Sequence, residues 1–150
     1  MQYLAFYLNN VEYAVDVRIV RSVVEYAGET AVPSALPYLR GVMDLRGDSV
    51  PLLDLRKKLG LPARETDQGA CVLVFSREEG RDDRLIGAMV DGVSGVVELS
   101  DDEDGQDAHS EAGLWERFVK GITRLEGRSI VRIAPEGLFS EEDLELVRPK

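Results

Sequence analysis

Apolar residues in this chain fall in short runs, many with a period of two, separated by glycines, asparagines and charged clusters, a pattern of many short strands. Residues 3–8 are apolar at every position, which predicts a strand buried on both faces, and Asn9-Asn10 offers a two-residue hairpin turn before the alternating run Val11-Glu12-Tyr13-Ala14-Val15. Asp16 is placed to cap a short helical turn carrying Val17 and Val20, after which Val23-Val24-Glu25-Tyr26 returns to strand character. Residues 27–37, with Pro33 and Pro37, read as a connector. Further strands are predicted at 70–75, 84–90 and 129–133, with a charged reversal at 78–83 and a turn at Asp91-Gly92. Ser140-Glu141-Glu142-Asp143 resembles a capping box opening a short helix.

The most informative stretch is 38–55. Two apolar runs flank Gly47-Asp48, where glycine can supply the positive φ of a tight reversal, so the segment predicts a β-hairpin. A short helix should follow, capped by Asp54, with Leu55 and Leu59 on one face and Gly60, Leu61 and Pro62 ending it.

The hairpin recurs 80 residues later: Arg40, Gly41, Val42, Leu45, Gly47 and Ser49 are answered by Lys120, Gly121, Ile122, Leu125, Gly127 and Ser129. An apolar and glycine framework at constant offset implies two copies of one β unit. The exposed positions reverse charge, with Asp44, Arg46 and Asp48 opposite Arg124, Glu126 and Arg128. The shared letters build the fold, and the reversed ones distinguish the surfaces of the two halves. A weaker echo relates Val15-Asp16 and Val23-Val24-Glu25 to Val90-Asp91 and Val96-Val97-Glu98. The polar segment 62–69 marks the change between halves. The expected fold is mainly β with minor helices, most simply two small barrels packed together in one domain spanning 1–150.

Charge and composition narrow the function. A net charge of −10 opposes a nucleic-acid or anionic-membrane partner. No apolar run approaches the roughly 20 residues of a membrane span. The start Met1-Gln2-Tyr3-Leu4 lacks the basic region of a secretory signal, so a cytoplasmic location is expected. The single cysteine, Cys71, excludes an intramolecular disulfide and reads as a buried, inert thiol.

Catalytic chemistry finds little support. Ser100 to Glu111 approaches calcium-loop spacing, with Asp102, Asp104, Gly105 and Glu111 in place. Ser stands first where Asp is expected, Asp107 occupies an apolar position, and no amphipathic helix precedes it, so a solvated acidic loop is the better reading. His109 is the only histidine, which excludes a multi-histidine metal site and leaves no base for a serine or cysteine nucleophile. There is no phosphate-binding glycine loop, and Trp115 reads as core packing. No catalytic residue, metal or cofactor is therefore expected. A generic barrel module for another protein or a small ligand is the competing reading, and an enzyme using the acidic loop a third.

The residues do resemble a known family, the CheW-like domain. The resemblance rests on Pro33-x-x-x-Pro37-Tyr38-Leu39-x-Gly41-Val42-x-x-Leu45-Arg46-Gly47-x-x-Val50-Pro51-Leu52-Leu53-Asp54-Leu55-Arg56, on Val90-Asp91-Gly92-Val93, and on the Gly121-Ile122 hairpin, and covers nearly the whole chain. It implies two five-stranded SH3-like barrels on a common hydrophobic centre, able to exchange strands. It also implies an adaptor that binds the regulatory domain of a CheA-type histidine kinase and the cytoplasmic tip of transmembrane chemoreceptors, and is recruited to membrane-associated arrays. By motif, Arg46 and Gly47 belong to the turn associated with coupling, Gly41 to the strand entering it, Val20 to an apolar position linked to the receptor groove, and Gly92 to a turn near it. Ser22 departs from the pattern: the family often has Glu there, a partner for the motif's arginine. That leaves Arg46 to find Glu25, Asp44 or Asp48, or no partner. Asp44 replaces the usual Asn.

Overall fold

The computed structural model describes residues 1–33, 37–62, 68–76, 85–100 and 118–134. In chain order these form β1 (Gln2–Leu8), β2 (Val11–Asp16), a 3-10 turn (Val17–Ile19), β3 (Val20–Glu25), β4 (Leu39–Leu45), β5 (Asp48–Asp54), α1 (Leu55–Lys58), β6 (Cys71–Ser76), β7 (Leu85–Val90), β8 (Gly92–Glu98), β9 (Val119–Leu125) and β10 (Arg128–Ile133). The predicted reversal at 78–83, the acidic loop with His109 and Trp115, and the capping box at Ser140 lie outside the described residues.

The strands make two five-stranded sheets, ordered β8-β1-β2-β10-β9 and β3-β6-β7-β5-β4. Dividing the chain at 62–69 shows that each sheet draws strands from both halves: β1 and β2 join β8 to β10, while β6 and β7 join β3 to β5. The crossings between sheets fall at Val17–Ile19 and at Asp91, the two places related by the weaker echo. In each sheet the inner contact between halves is a parallel ladder, β2 with β10 and β7 with β5, and the remaining pairs are antiparallel.

Local chemistry accounts for the turns. Asn9 and Asn10 both adopt positive φ (+50° and +66°) in the two-residue loop closed by the Leu8–Val11 pair, as a type I′ hairpin turn requires. In the central hairpin the closing pair is Leu45–Asp48, so the turn consists of Arg46 (φ +53°) and Gly47 (φ +89°). The sequence predicts Gly47-Asp48; the turn stands one residue earlier, because Asp48 already belongs to the β5 ladder. Glu126 and Gly127 repeat this between Leu125 and Arg128. The pattern of buried and exposed positions is the same over 41–50 and 121–130, as expected of two copies of one unit.

Asp16 caps the 3-10 turn through the Arg18 amide (2.9 Å) and grips the Arg18 guanidinium, whose hydrogen bond holds the Asp16 carboxyl below its ordinary pKa. Asp54 caps α1 by accepting from the Lys57 amide. At its end the Gly60 amide donates to Lys57 O and the Leu61 amide to Arg56 O, a Schellman arrangement with Gly60 at φ +76°.

Alternation sends β1 and β6 side chains to two cores. Leu4, Phe6 and Leu8 meet Leu73, Phe75, Ala88, Val90 and Leu55 between the sheets, making one shared core. Tyr3 packs with Ala14, Leu99 and Ile130 inside the first sheet, and Val72 and Val74 pack with Met43, Val50, Leu52 and Met89 inside the second. Each fully buried Leu or Phe contributes roughly 1.5–3 kcal/mol, so the shared centre holds the two sheets together, while the ladders within each sheet join the halves. One difference between the two interiors is polar: where the second has Met43 and Leu52, the first has Thr123 and a fully buried Arg132, whose Nε donates to Thr123 Oγ1 at 2.9 Å. Cys71 is half-buried at the head of β6, packed against the shared core, which corrects the expectation of a buried thiol.

Candidate functional site

Two of the motif residues meet at the mouth of the second sheet. Ser22, on edge strand β3, and Arg46, at the tip of the β4–β5 turn, line one shallow concavity of about 330 Å3 together with Arg21, Leu45, Asp48 and Leu85. Gly47 adjoins it in the same turn. Arg46 is exposed, and its backbone is left-handed, uncommon for a residue of this type. Its side chain makes no hydrogen bond or ion pair with any described residue, so Glu25, Asp44 and Asp48 do not take the place that Ser22 leaves empty. Leu45 and Leu85, both half-buried, form the apolar part of the wall. Such a surface can hold a planar carboxylate through the guanidinium fork and an apolar group beside it.

The other motif residues lie elsewhere. Val20 is half-buried, pairs with Phe75 and packs on the shared core; Val93, next to Gly92, packs on the same core. Gly92 opens β8 opposite Tyr7 and lines a second concavity of about 420 Å3 with Tyr7, Asn9, Asn10 and Asp91. It is thus the first residue of a strand rather than the second of a turn. Gly41 is buried: the backbone of Thr30 lies against it, exchanging hydrogen bonds of 2.7 and 2.9 Å with Val42 and so covering the edge of β4. Any side chain at Gly41 would enter that backbone, so Gly41 shapes the sheet that carries Arg46.

Below the second concavity lies a buried polar network. The guanidinium of Arg56, 7% exposed, forms an ion pair with Asp91 and donates from Nε to Asn9 Oδ1 at 3.0 Å, while Asp91 Oδ2 accepts from the Asn9 amide at 2.7 Å. This network ties α1, which follows the motif hairpin, to the β1–β2 turn and to the crossing from β7 to β8. Two of its members, Asn9 and Asp91, also line the second concavity. Arg40, half-buried, is also engaged: it stacks over the Tyr26 ring, 5.4 Å from its centroid, and pairs with Glu29. Its counterpart Lys120 sits over Tyr3 at 5.8 Å.

Arg21, Leu85 and the Arg56–Asp91–Asn9 network are absent from the sequence-derived set. Arg56 and Asp91 do stand inside the quoted motifs, and their opposite charges flanking apolar runs were the available signal. Arg21 carries none, because it is the extra residue of a bulge in β3 where the ladder passes from Val20 to Ser22. Among the described residues no group of three or more His, Cys, Asp or Glu is placed to hold a metal ion, and no helix is long and apolar enough to cross a membrane.

Comparison with known proteins places this geometry among relatives. A family model described as the CheW-like domain matches residues 2–143. The chemotaxis protein CheW of Rhizobium meliloti is 31% identical over 143 residues, covering 95% of this chain and 89% of that protein. The CheW protein of Bacillus subtilis is 36% identical over 128 residues, covering 81% and 78%. Among solved structures, the scaffolding protein CheW of Thermoanaerobacter tengcongensis superposes with a TM-score of 0.76 at 22% identity, covering 97% of each chain, and so shares the fold.

Proposed function

The chain belongs to the CheW-like domain family, and on that premise we propose that it works as a chemotaxis scaffold, joining the regulatory domain of a CheA-type histidine kinase to the cytoplasmic tip of transmembrane chemoreceptors in membrane-associated arrays. The observation that carries this reading is the extent of the family match: residues 2–143 include all ten strands of the described residues, both concavities and the Arg56–Asp91–Asn9 network. A scaffold needs two surfaces held in one geometry and no reacting group. Two sheets fused on one core, with separate concavities at Arg46 and Gly92, suit that task. In this reading Arg46 and Gly47, beside Ser22, act in coupling to the kinase, and Val20 and Gly92 lie toward the receptor.

A titration against the kinase regulatory domain and against a receptor cytoplasmic fragment tests the proposal; binding to neither removes it. Arg46→Ala should leave the melting temperature and strand content unchanged, because the side chain is exposed and makes no hydrogen bond or ion pair with any described residue. The same variant should lower kinase activation in a reconstituted receptor array by about tenfold, the size of a central arginine anchor. Activation equal to wild type would take Arg46 off the coupling surface.

A further inference from the structure

An outermost strand offers its backbone to any extended chain, so it is either covered or made unattractive to others. β4 and β9, the first strands of the two hairpin copies, are each outermost in their sheet. At alternate positions β9 carries Lys120, Ile122 and Arg124, and β4 carries Arg40, Val42 and Asp44. The first residue of each set is the extra residue of a bulge, so the two strands match in backbone as well as in place.

Two-fold antiparallel pairing of an edge with its own copy sets residues opposite one another when they lie equally far on either side of the centre. Centred on Ile122, β9 brings Lys120 against Arg124 of the second copy, twice, and like charges there oppose pairing. Centred on Val42, β4 brings Arg40 against Asp44 of the second copy, also twice, and these charges attract. Pairing β4 with β9 sets Asp44 against Lys120 but Arg40 against Arg124, so one contact offsets the other. Of the two edges only β4 is complementary to itself, and Asp44 is the residue that makes it so.

The backbone suits the same pairing. On its β5 side Val42 faces Pro51, which has no N–H to donate, and its own N–H and C=O point outward. Thr30 takes both, in bonds of 2.9 and 2.7 Å, the exchange that Val42 of a second copy makes in a two-fold pair. Gly41 has no side chain to hold a second backbone away. The cover over this edge is slight. Among the described residues it reaches β4 through the single bridge at Thr30, and Ala27, Gly28, Ala31, Val32 and Pro33 around it are exposed. Its other fastening is Glu29, which accepts from the Tyr26 hydroxyl and pairs with Arg40 Nε at 3.4 Å.

We propose that residues 29–31 are a releasable cover, and that β4, once uncovered, pairs with β4 of a second copy of this chain, antiparallel and centred on Val42. Thr30 and Glu29 do within one molecule what Val42 and Asp44 of the copy do between two, so cover and copy exclude each other. A segment with exposed flanks and one backbone bridge opens locally at lower cost than a ladder. The pairing does not rest on the scaffold reading.

The test begins with amide hydrogen exchange in the full wild-type chain. The Val42 amide should exchange about a hundredfold faster than the amides of the β5–β7 ladder; equal protection overturns the release. Thr30→Pro removes the donor to Val42 O, and sedimentation velocity at submillimolar concentration should find this variant dimeric. Adding Asp44→Arg to it, or Arg40→Asp to it, should leave monomers, and an equimolar mixture of those two doubly substituted chains should restore the dimer, because each then meets the opposite charge. Glu29→Gln, which loosens the cover without altering the backbone, should dimerise more weakly and takes the same charge changes if circular dichroism shows Thr30→Pro unfolded. Folded chains with a loosened cover that stay monomeric, or charge variants that dimerise as well as their parent, overturn the proposal.

Discussion

Asp91→Ala should destabilise the chain by about 3–5 kcal/mol, seen as a lower midpoint in urea unfolding followed by tryptophan fluorescence or circular dichroism. Removing the carboxylate leaves the Arg56 guanidinium, 7% exposed, without the anion it faces, and an uncompensated buried charge is among the costlier single changes. The Asn9 amide loses its acceptor as well. Because the pair itself is expensive to desolvate, the double variant Arg56→Met, Asp91→Ala should be more stable than the sum of the single changes predicts. Strict additivity between the two sites would mean that they do not act as a unit.

Gly41→Ala should lower stability by about 3 kcal/mol, a fall of roughly 10 °C in melting temperature for a chain of this size. A Cβ there would overlap the Thr30 carbonyl oxygen and come within 2.8 Å of its carbon and 2.9 Å of Ala31 Cα. These are backbone atoms, so relief requires Thr30 to leave Val42 and open the edge of β4. Gly47→Ala provides the contrast: at φ +89° the added methyl meets nothing within 4 Å, and only backbone strain of about 1 kcal/mol is expected. A melting temperature for Gly41→Ala within a degree or two of wild type would show that Thr30 does not close the sheet in solution.

Much of this architecture was legible from local chemistry. Asn9-Asn10, Asp16, Asp54 and Gly60 each meet a requirement set by a few neighbouring residues, either a positive φ or an uncapped amide, and each stands where the sequence predicts. The duplication was legible because glycines and buried apolar residues recur at one offset. What the sequence does not state is which strand pairs with which. β6 sits between β3 and β7, and β1 between β8 and β2; this exchange depends on which faces remain to be covered once hairpins have formed, a global property that no window of residues carries. The one-residue displacement of the central turn has the same origin, since Asp48 is claimed by its ladder partner Leu45.

The site divides along similar lines. The likeness to a known family points to Ser22 and Arg46, and the fold brings them to one concavity although a long connector separates β3 from β4. Arg21 and Leu85 were invisible because their places depend on a bulge and on the register of a parallel ladder. Glu12 had no assigned role in the sequence, yet it is buried and pairs with Arg128. The reversed charges at Asp48 and Arg128 acquire a physical reading through it: Arg128 answers the buried carboxylate of Glu12, whereas the position matching Glu12 in the second sheet is Leu85.

The central proposal is that this chain holds two proteins together through two separate surfaces. Sedimentation of a CheA-type kinase with vesicles bearing chemoreceptor cytoplasmic domains, with and without the purified chain, tests it most directly. The account predicts that the kinase pellets with the vesicles in proportion to added chain and that its autophosphorylation rises with it. Kinase that pellets equally well without the chain, or chain that binds one partner and displaces the other, would contradict it.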